Sequence, residues 1–173
     1  MTKTTQNLQK MIDYESQART RYDFFAQQAR KQGFHYIAKI LEETAENEKY
    51  HCIQAYKLLS KYENTDSNIQ TAIEGENYEC KSMYPSFAEQ AKKDGTLKAE
   101  ILFNQITKIE KHHRDRFLKI LNLLESGKVY KRDSPIKWKC SICGYTYEGI
   151  EPPNRCPYCQ KPKEYYEPAN LDV

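Results

Sequence analysis

Four of the six cysteines stand in two C-x-x-C pairs, Cys140/Cys143 and Cys156/Cys159, separated by twelve residues. Each pair can fold into a tight knuckle that presents two thiolates to one ion, and two knuckles close a tetrahedron. Gly144 directly follows the first pair, where such a knuckle needs a positive φ. Pro157 stiffens the second. A tetrathiolate accepts zinc or iron, and spacing does not choose between them.

A second constellation is made of oxygen and nitrogen ligands. Glu15, Glu48, Glu76 and Glu79 fall on helical stripes that should be apolar, and Glu110 lies beside such a stripe. His51 and His113 join them. Several carboxylates in a core repel one another and are costly to bury, so something cationic must sit among them. Arg19 flanks the first stripe, but one arginine cannot neutralise five carboxylates; two metal ions can. Glu-x-x-His sets two ligands on one helix face, one turn apart. It occurs at Glu48/His51 and again at Glu110/His113. With one Glu from each of two other helices, this is the ligand pattern of dimetal carboxylate bundles. The mostly hard, oxygen-rich shell suits iron or manganese.

Long helices must hold these residues. Leu8, Met11, Glu15, Ala18, Tyr22, Phe25 and Ala29 form one stripe, and Ile37, Leu41, Thr44, Glu48, His51, Ala55 and Leu58 a second. Ile69, Ala72, Glu76, Glu79 and Met83 form a third, with Pro85 expected to kink it. Leu102, Ile106, Ile109, His113, Phe117, Ile120 and Leu124 form the fourth. Steps of three and four place each set on one face. An internal repeat relates the halves: FAQQARKQG at 25–33 resembles FAEQAKKDG at 87–95, and Glu48/His51 match Glu110/His113 at the same offset of 62. Gly33 and Gly95 end the repeat units where a helix C-terminus takes a left-handed residue. Four amphipathic helices with short connections make a bundle over 1–127. A linker follows at 128–136, then a small Cys-, Pro- and Tyr-rich module at 137–173, where Trp138, Tyr145, Tyr147, Tyr158, Tyr165 and Tyr166 can supply an aromatic core. Cys52 and Cys80 each follow a proposed ligand and point roughly 100° away from it, as small buried residues do.

A net charge of +3, with both signs interspersed, argues against nucleic acid. The N-terminus carries no apolar signal segment, and no stretch nears the roughly 20 apolar residues of a membrane span. The expected location is cytoplasmic, where thiols stay reduced and paired cysteines favour metal over disulfide.

The motifs ESQARTRYDFFAQQA, EETAENEKYH, EGENYECKSMYPSFA, IEKHH and WKCSICGYTYEG…CPYC resemble those of the rubrerythrins, over nearly the whole chain. The resemblance implies a mainly α protein: a ferritin-like four-helix bundle followed by a rubredoxin-like β module. It implies a di-iron (Fe–O–Fe) centre held by Glu15, Glu48, His51, Glu76, Glu79, Glu110 and His113. It also implies one rubredoxin-type iron on Cys140, Cys143, Cys156 and Cys159, which moves the choice between zinc and iron to iron. The implied activity is a peroxidase of oxidative-stress defence that reduces hydrogen peroxide to water. Electrons would come from a nicotinamide-dependent reductase or a rubredoxin-type donor. Glu79 resembles the extra carboxylate that trades places with a histidine, here His51, and Tyr22 and Tyr84 resemble the tyrosines lining the site. Gln160 stands where many free-standing rubredoxins have glycine. Iron oxidation and storage is the alternative for such a bundle, but storage needs no electron inlet.

The connection from the second to the third helix, about Lys61 to Asp66, is short. Glu48 lies ~18 Å before it and Glu76 ~15 Å after it, whereas six extended residues reach only ~20 Å. Either several helical turns unwind, or the third helix continues into a neighbouring bundle; the second option, a homodimer that exchanges helical hairpins, is the expectation.

Overall fold

The computed structural model describes residues 1–60 and 64–170. Half of the connection expected at 61–66, residues 61–63, lies outside the described residues. The chain divides into two compact units, Met1–Glu63 and Asn64–Val173.

The first unit is a helical hairpin, α1 (Lys3–Lys31) and α2 (His35–Leu58). The Thr2 hydroxyl caps α1 by accepting from the Thr5 N–H at 3.1 Å. The turn is set by Gly33 at φ +83. Its N–H donates to the Arg30 carbonyl, and the Phe34 N–H reaches back to the Ala29 carbonyl at 2.9 Å. Both bonds satisfy carbonyls orphaned at the helix end. Arg30 locks the two helices together through a two-pronged pair with Glu42, at 2.8 and 2.6 Å.

In the second unit, α3 (Thr65–Tyr78) runs through a π-helical turn, Glu79–Met83, into α4 (Tyr84–Lys93), and α5 (Leu97–Glu125) returns beside them. The Asn64 side chain caps α3 through the Ser67 N–H at 2.9 Å. Gly95 at φ +69 repeats the turn geometry of Gly33, as the sequence repeat requires. The irregularity expected at Pro85 is the π turn just before it, where the Tyr84 N–H bonds the Glu79 carbonyl five residues back. Proline lacks an N–H and crowds the preceding turn, and one extra residue in that turn relieves both problems.

The helical stripes differ from expectation in burial. The residues buried in the helices are small: Ala18, Ala26, Ala29, Ala38, Ala45, Ala55, Ala88 and Ala91, with Ile12, Cys52 and Cys80. Phe25, Ile37, Leu58, Leu102 and Ile109, all expected in a core, are exposed. Two helices bury only the narrow seam between them, and small residues let them approach closely. The wider apolar face of a hairpin needs a second helical pair to cover it.

The C-terminal module is an antiparallel sheet of order β2-β1-β3, with β1 at Ile136–Cys140, β2 at Thr146–Gly149 and β3 at Tyr166–Pro168. Its core is Trp138, Cys140, Cys156 and Tyr166. Tyr145, Tyr147, Tyr158 and Tyr165, expected in an aromatic core, are exposed. A module this small has little interior, and the sulfurs fill much of it. The Trp138 indole N–H donates to the Gly149 carbonyl at 2.9 Å, so its polar atom is satisfied. The Arg132 guanidinium lies 5.3 Å from the Trp138 ring centroid. No helix among the described residues is long and apolar enough to cross a membrane.

Candidate metal centres

Three groups of side chains converge on positions that could hold an ion, each with its donor atoms within 4.8 Å of one another. Glu15, Glu48 and His51 form one in the first unit. Glu76, Glu110 and His113 form another in the second. The four paired cysteines form the third.

In the first triad, α1 supplies Glu15 and α2 supplies Glu48 and His51. The His51 Nδ1 lies 2.8 Å from a Glu48 carboxylate oxygen. A hydrogen bond shared with Glu48 raises the Glu15 pKa, burial and the Glu48 charge add to it, and His51 opposes them. The second triad repeats this geometry. His113 Nδ1 lies 2.7 Å from Glu110 and 3.7 Å from Glu76. Burial raises Glu76, its hydrogen bond and charge contact with Glu110 add to the rise, and His113 opposes it. One Glu76 oxygen is buried without any hydrogen-bond partner. An orphaned carboxylate oxygen beside a second carboxylate and an imidazole is the arrangement a hard cation completes. A cation there would favour the ionised carboxylates and oppose the rise in Glu15 and Glu76.

Glu79 belongs to neither triad. It opens the π turn, and its charge raises both Glu76 and Tyr84. Tyr84 is raised mainly by burial, then by the charges of Glu79, Glu110 and Glu76, which places its phenol beside that triad. Tyr22 stands on α1, two turns beyond Glu15, with its ring 6.5 Å from that of Phe25. The π turn is a feature that stripe counting misses. Such turns recur at functional sites, and its signal in the sequence is Pro85, six residues after Glu79.

The thiol cluster fits one ion. Cys140 and Cys159 sulfurs are 3.7 Å apart, and Cys143 and Cys156 sulfurs 3.6 Å. A tetrahedron with metal–sulfur bonds of ~2.3 Å has edges of ~3.8 Å, whereas a disulfide is far shorter. Gly144 at φ +77 and Gln160 at φ +60 hold equivalent places after the two knuckles. Their N–H groups donate to the Cys140 and Cys156 carbonyls, each at 2.9 Å. Gln160 therefore keeps the left-handed turn where glycine is usual, and its side-chain amide holds the Pro157 carbonyl at 3.3 Å.

Knuckle amides are aimed at sulfur. Burial alone would raise the Cys140 thiol, but the N–H groups of Cys143 and Ile142 bring it down. Burial likewise opposes ionisation of Cys156, but the Cys159 N–H, the Tyr166 phenol and the Tyr158 N–H outweigh it and lower it to about 6. The Tyr145 N–H favours ionisation of Cys143, yet burial and the three neighbouring thiols push it up to about 12. Four crowded thiols cannot all ionise alone, and a cation among them removes that obstacle. Cys140 and Cys156 are fully buried, whereas Cys143 and Cys159 are half exposed and form the solvent-facing edge of the cluster.

The other two cysteines are buried on helices. Cys52 lies 3.4 Å from the Ser16 hydroxyl. The Arg114 guanidinium approaches Cys80 at 3.7 Å.

Paired carboxylate–imidazole triads on helices, with a four-thiol knuckle module behind them, define a dimetal carboxylate protein with its own electron-transfer module. The comparisons carry this further. Residues 6–121 match the family model "Rubrerythrin", and residues 138–167 match "Rubrerythrin, rubredoxin-like domain". Rubrerythrin of Clostridium perfringens is 41% identical, covering 96% of this chain and 94% of that protein. Rubrerythrin of Nitratidesulfovibrio vulgaris is 35% identical over 95% of this chain and 93% of that one. A putative rubrerythrin of Methanocaldococcus jannaschii is 38% identical over 96% and 93%. The chain belongs to the rubrerythrin family. Its fold is a ferritin-like helical domain with a rubredoxin-like module, and its cofactors are a di-iron centre and a four-cysteine iron. It is an oxidoreductase of the di-iron class.

Proposed function

We propose that this chain is a peroxidase that reduces hydrogen peroxide to water in the cytoplasm, as a defence against oxidative stress. One observation carries the reading: an electron-carrying thiolate site lies in the same chain as two triads suited to an iron pair. Glu15, Glu48, His51, Glu76, Glu79, Glu110 and His113 hold the pair, and Cys140, Cys143, Cys156 and Cys159 hold the single iron. When bound, the iron pair supplies two electrons to the O–O bond. Cys140, Cys143, Cys156 and Cys159 would hold an iron able to pass single electrons from a nicotinamide-dependent reductase or rubredoxin-type donor.

The side chains do the rest. Converting peroxide to two waters consumes two protons. Tyr84, raised by burial and by three neighbouring carboxylates, can hold a proton beside the site. Glu79 stands outside its triad on a π turn, from which it can swing in as an added anionic ligand while His51 swings out. Anionic carboxylate suits the more highly charged oxidised pair, and neutral imidazole the reduced one. Glu79→Ala is expected to lower peroxide turnover about 10- to 100-fold, the range of altered metal surroundings, while iron loading stays within about twofold. Steady-state assays beside metal analysis check this, and equal loss of both would remove the exchange role.

Each triad contributes half of a ligand set, and we place the complementary half in a second copy of the chain. α2 ends at Leu58 and α3 begins at Thr65. Glu48 lies about 15 Å before that gap and Glu76 about 16 Å after it, and the six residues between can span at most ~20 Å. A neighbour's hairpin would also cover the exposed Phe25, Ile37, Leu102 and Ile109. The result is a domain-swapped homodimer.

Metal analysis with a visible spectrum tests the activity. A red protein with iron in both kinds of site, bleached by reductant and recoloured by peroxide, is expected. A colourless module filled with zinc would break the electron path and refute it.

A further inference from the structure

Tyr166 is buried at the centre of the thiol module, 4% exposed, in one cluster with Trp138, Cys140 and Cys156. Its backbone pairs with Cys140 across the β1–β3 ladder. Its phenol oxygen is buried and has no hydrogen-bond partner among the described residues. Trp138, the other large residue of this core, has its polar atom satisfied by a carbonyl. Nothing in packing requires the Tyr166 hydroxyl, since phenylalanine would fill the same space, and an idle buried hydroxyl is destabilising. The polarisable groups in its cluster are the Cys140 and Cys156 sulfurs, and burial, then interaction with Cys156, raises the phenol above its ordinary range.

We infer that Tyr166 is a positioning residue of the electron relay: its phenol donates to the Cys156 sulfur and raises the reduction potential of the four-cysteine iron. Reduction adds one negative charge to the iron–thiolate unit, and that charge spreads onto the sulfurs. A donor aimed at sulfur stabilises the reduced state more than the oxidised one, and hydrogen bonds to sulfur are among the protein's levers on potential. The Cys156 sulfur already receives the Cys159 and Tyr158 N–H groups. The phenol adds a donor from the sheet rather than the knuckle, so a side chain can change it without disturbing the metal-binding turns. Its effect is directional: it makes the module a better acceptor from the external donor and a weaker donor to the iron pair.

The inference rests on the iron reading of the thiol cluster. The test is a redox titration of the iron-loaded full-length protein, following the visible absorption of the thiolate iron, in wild type, Tyr166→Phe and Tyr165→Phe. Tyr166→Phe is expected to lower the equilibrium constant for reduction about tenfold, which for a one-electron couple is ~59 mV. Tyr165→Phe, which removes an exposed neighbouring hydroxyl, is expected to leave it unchanged. A red, folded Tyr166→Phe protein whose constant moves less than about twofold overturns the inference. A wild-type module that takes up no iron refutes the iron reading itself, and the inference with it. Cadmium-loaded wild type gives a measurement that needs no variant. The Tyr166 phenol proton is expected to exchange slowly and to couple to the cadmium nucleus through sulfur. A rapidly exchanging, uncoupled proton overturns the inference.

Discussion

Co-expressing two inactive variants, Glu48→Ala and Glu110→Ala, is expected to restore peroxide turnover. Each variant alone lacks a Glu ligand in both sites of its homodimer, since Glu48 and Glu110 each stand 2.7–2.8 Å from the histidine of their own triad. If hairpins are exchanged, a mixed dimer gathers both lesions into one site and leaves the other with a full ligand set. Random pairing makes half the dimers mixed, so about a quarter of the wild-type sites should return. Without exchange, every site in the mixed dimer carries one lesion, and activity stays at the level of the single variants. The readouts are peroxide consumption and iron bound per chain. A mixture no more active than its components would sink the swapped dimer, and the peroxidase reading would stand.

The second large effect belongs to the thiolate module. Cys156→Ser replaces a fully buried ligand whose thiol is already lowered to about 6 by donors built around it. A serine hydroxyl does not ionise there and is a poor partner for soft, thiolate-bound iron. The red colour should disappear. Turnover driven by the nicotinamide-dependent donor should fall at least about 100-fold, beyond the range of changes in a metal's outer surroundings. A single oxidation of the chemically pre-reduced protein by peroxide should be retained, because Cys156 belongs to the C-terminal module and the triads are built on helices. Stopped-flow absorption separates these two rates. Full steady-state turnover in a colourless Cys156→Ser protein would mean electrons reach the iron pair by another route.

Ligand spacing was legible because it is local. Glu48/His51 and Glu110/His113 are one helical turn apart, so any regular helix presents each pair to one point, and each pair stands at hydrogen-bond distance. The turns after Gly33, Gly95 and Gly144 were legible for the same reason, since a left-handed residue leaves a glycine in the chain. Burial was less legible. Periodicity identified the apolar face of each helix, but it cannot say how many neighbours cover that face. Phe25 and Ile109 accordingly share a stripe with Ala18 or Ile106 and yet are exposed. The π turn at Glu79–Met83 was hidden because a stripe of three- and four-residue steps looks the same with one extra residue in a turn.

The sequence alone determined the candidate donor residues and the family, because these depend on residue type and spacing along one helix or one knuckle. Tertiary structure decided the rest. It distributed the oxygen and nitrogen ligands as two triads in two units, since the helices that pair are set by packing. It left Cys143 and Cys159 facing solvent while burying Cys140 and Cys156. It paired Tyr166 with Cys140, 26 positions apart, through strand register, and so brought Tyr166 into one core with Cys140 and Cys156. Contacts of that kind depend on where distant segments meet, and no local spacing encodes them.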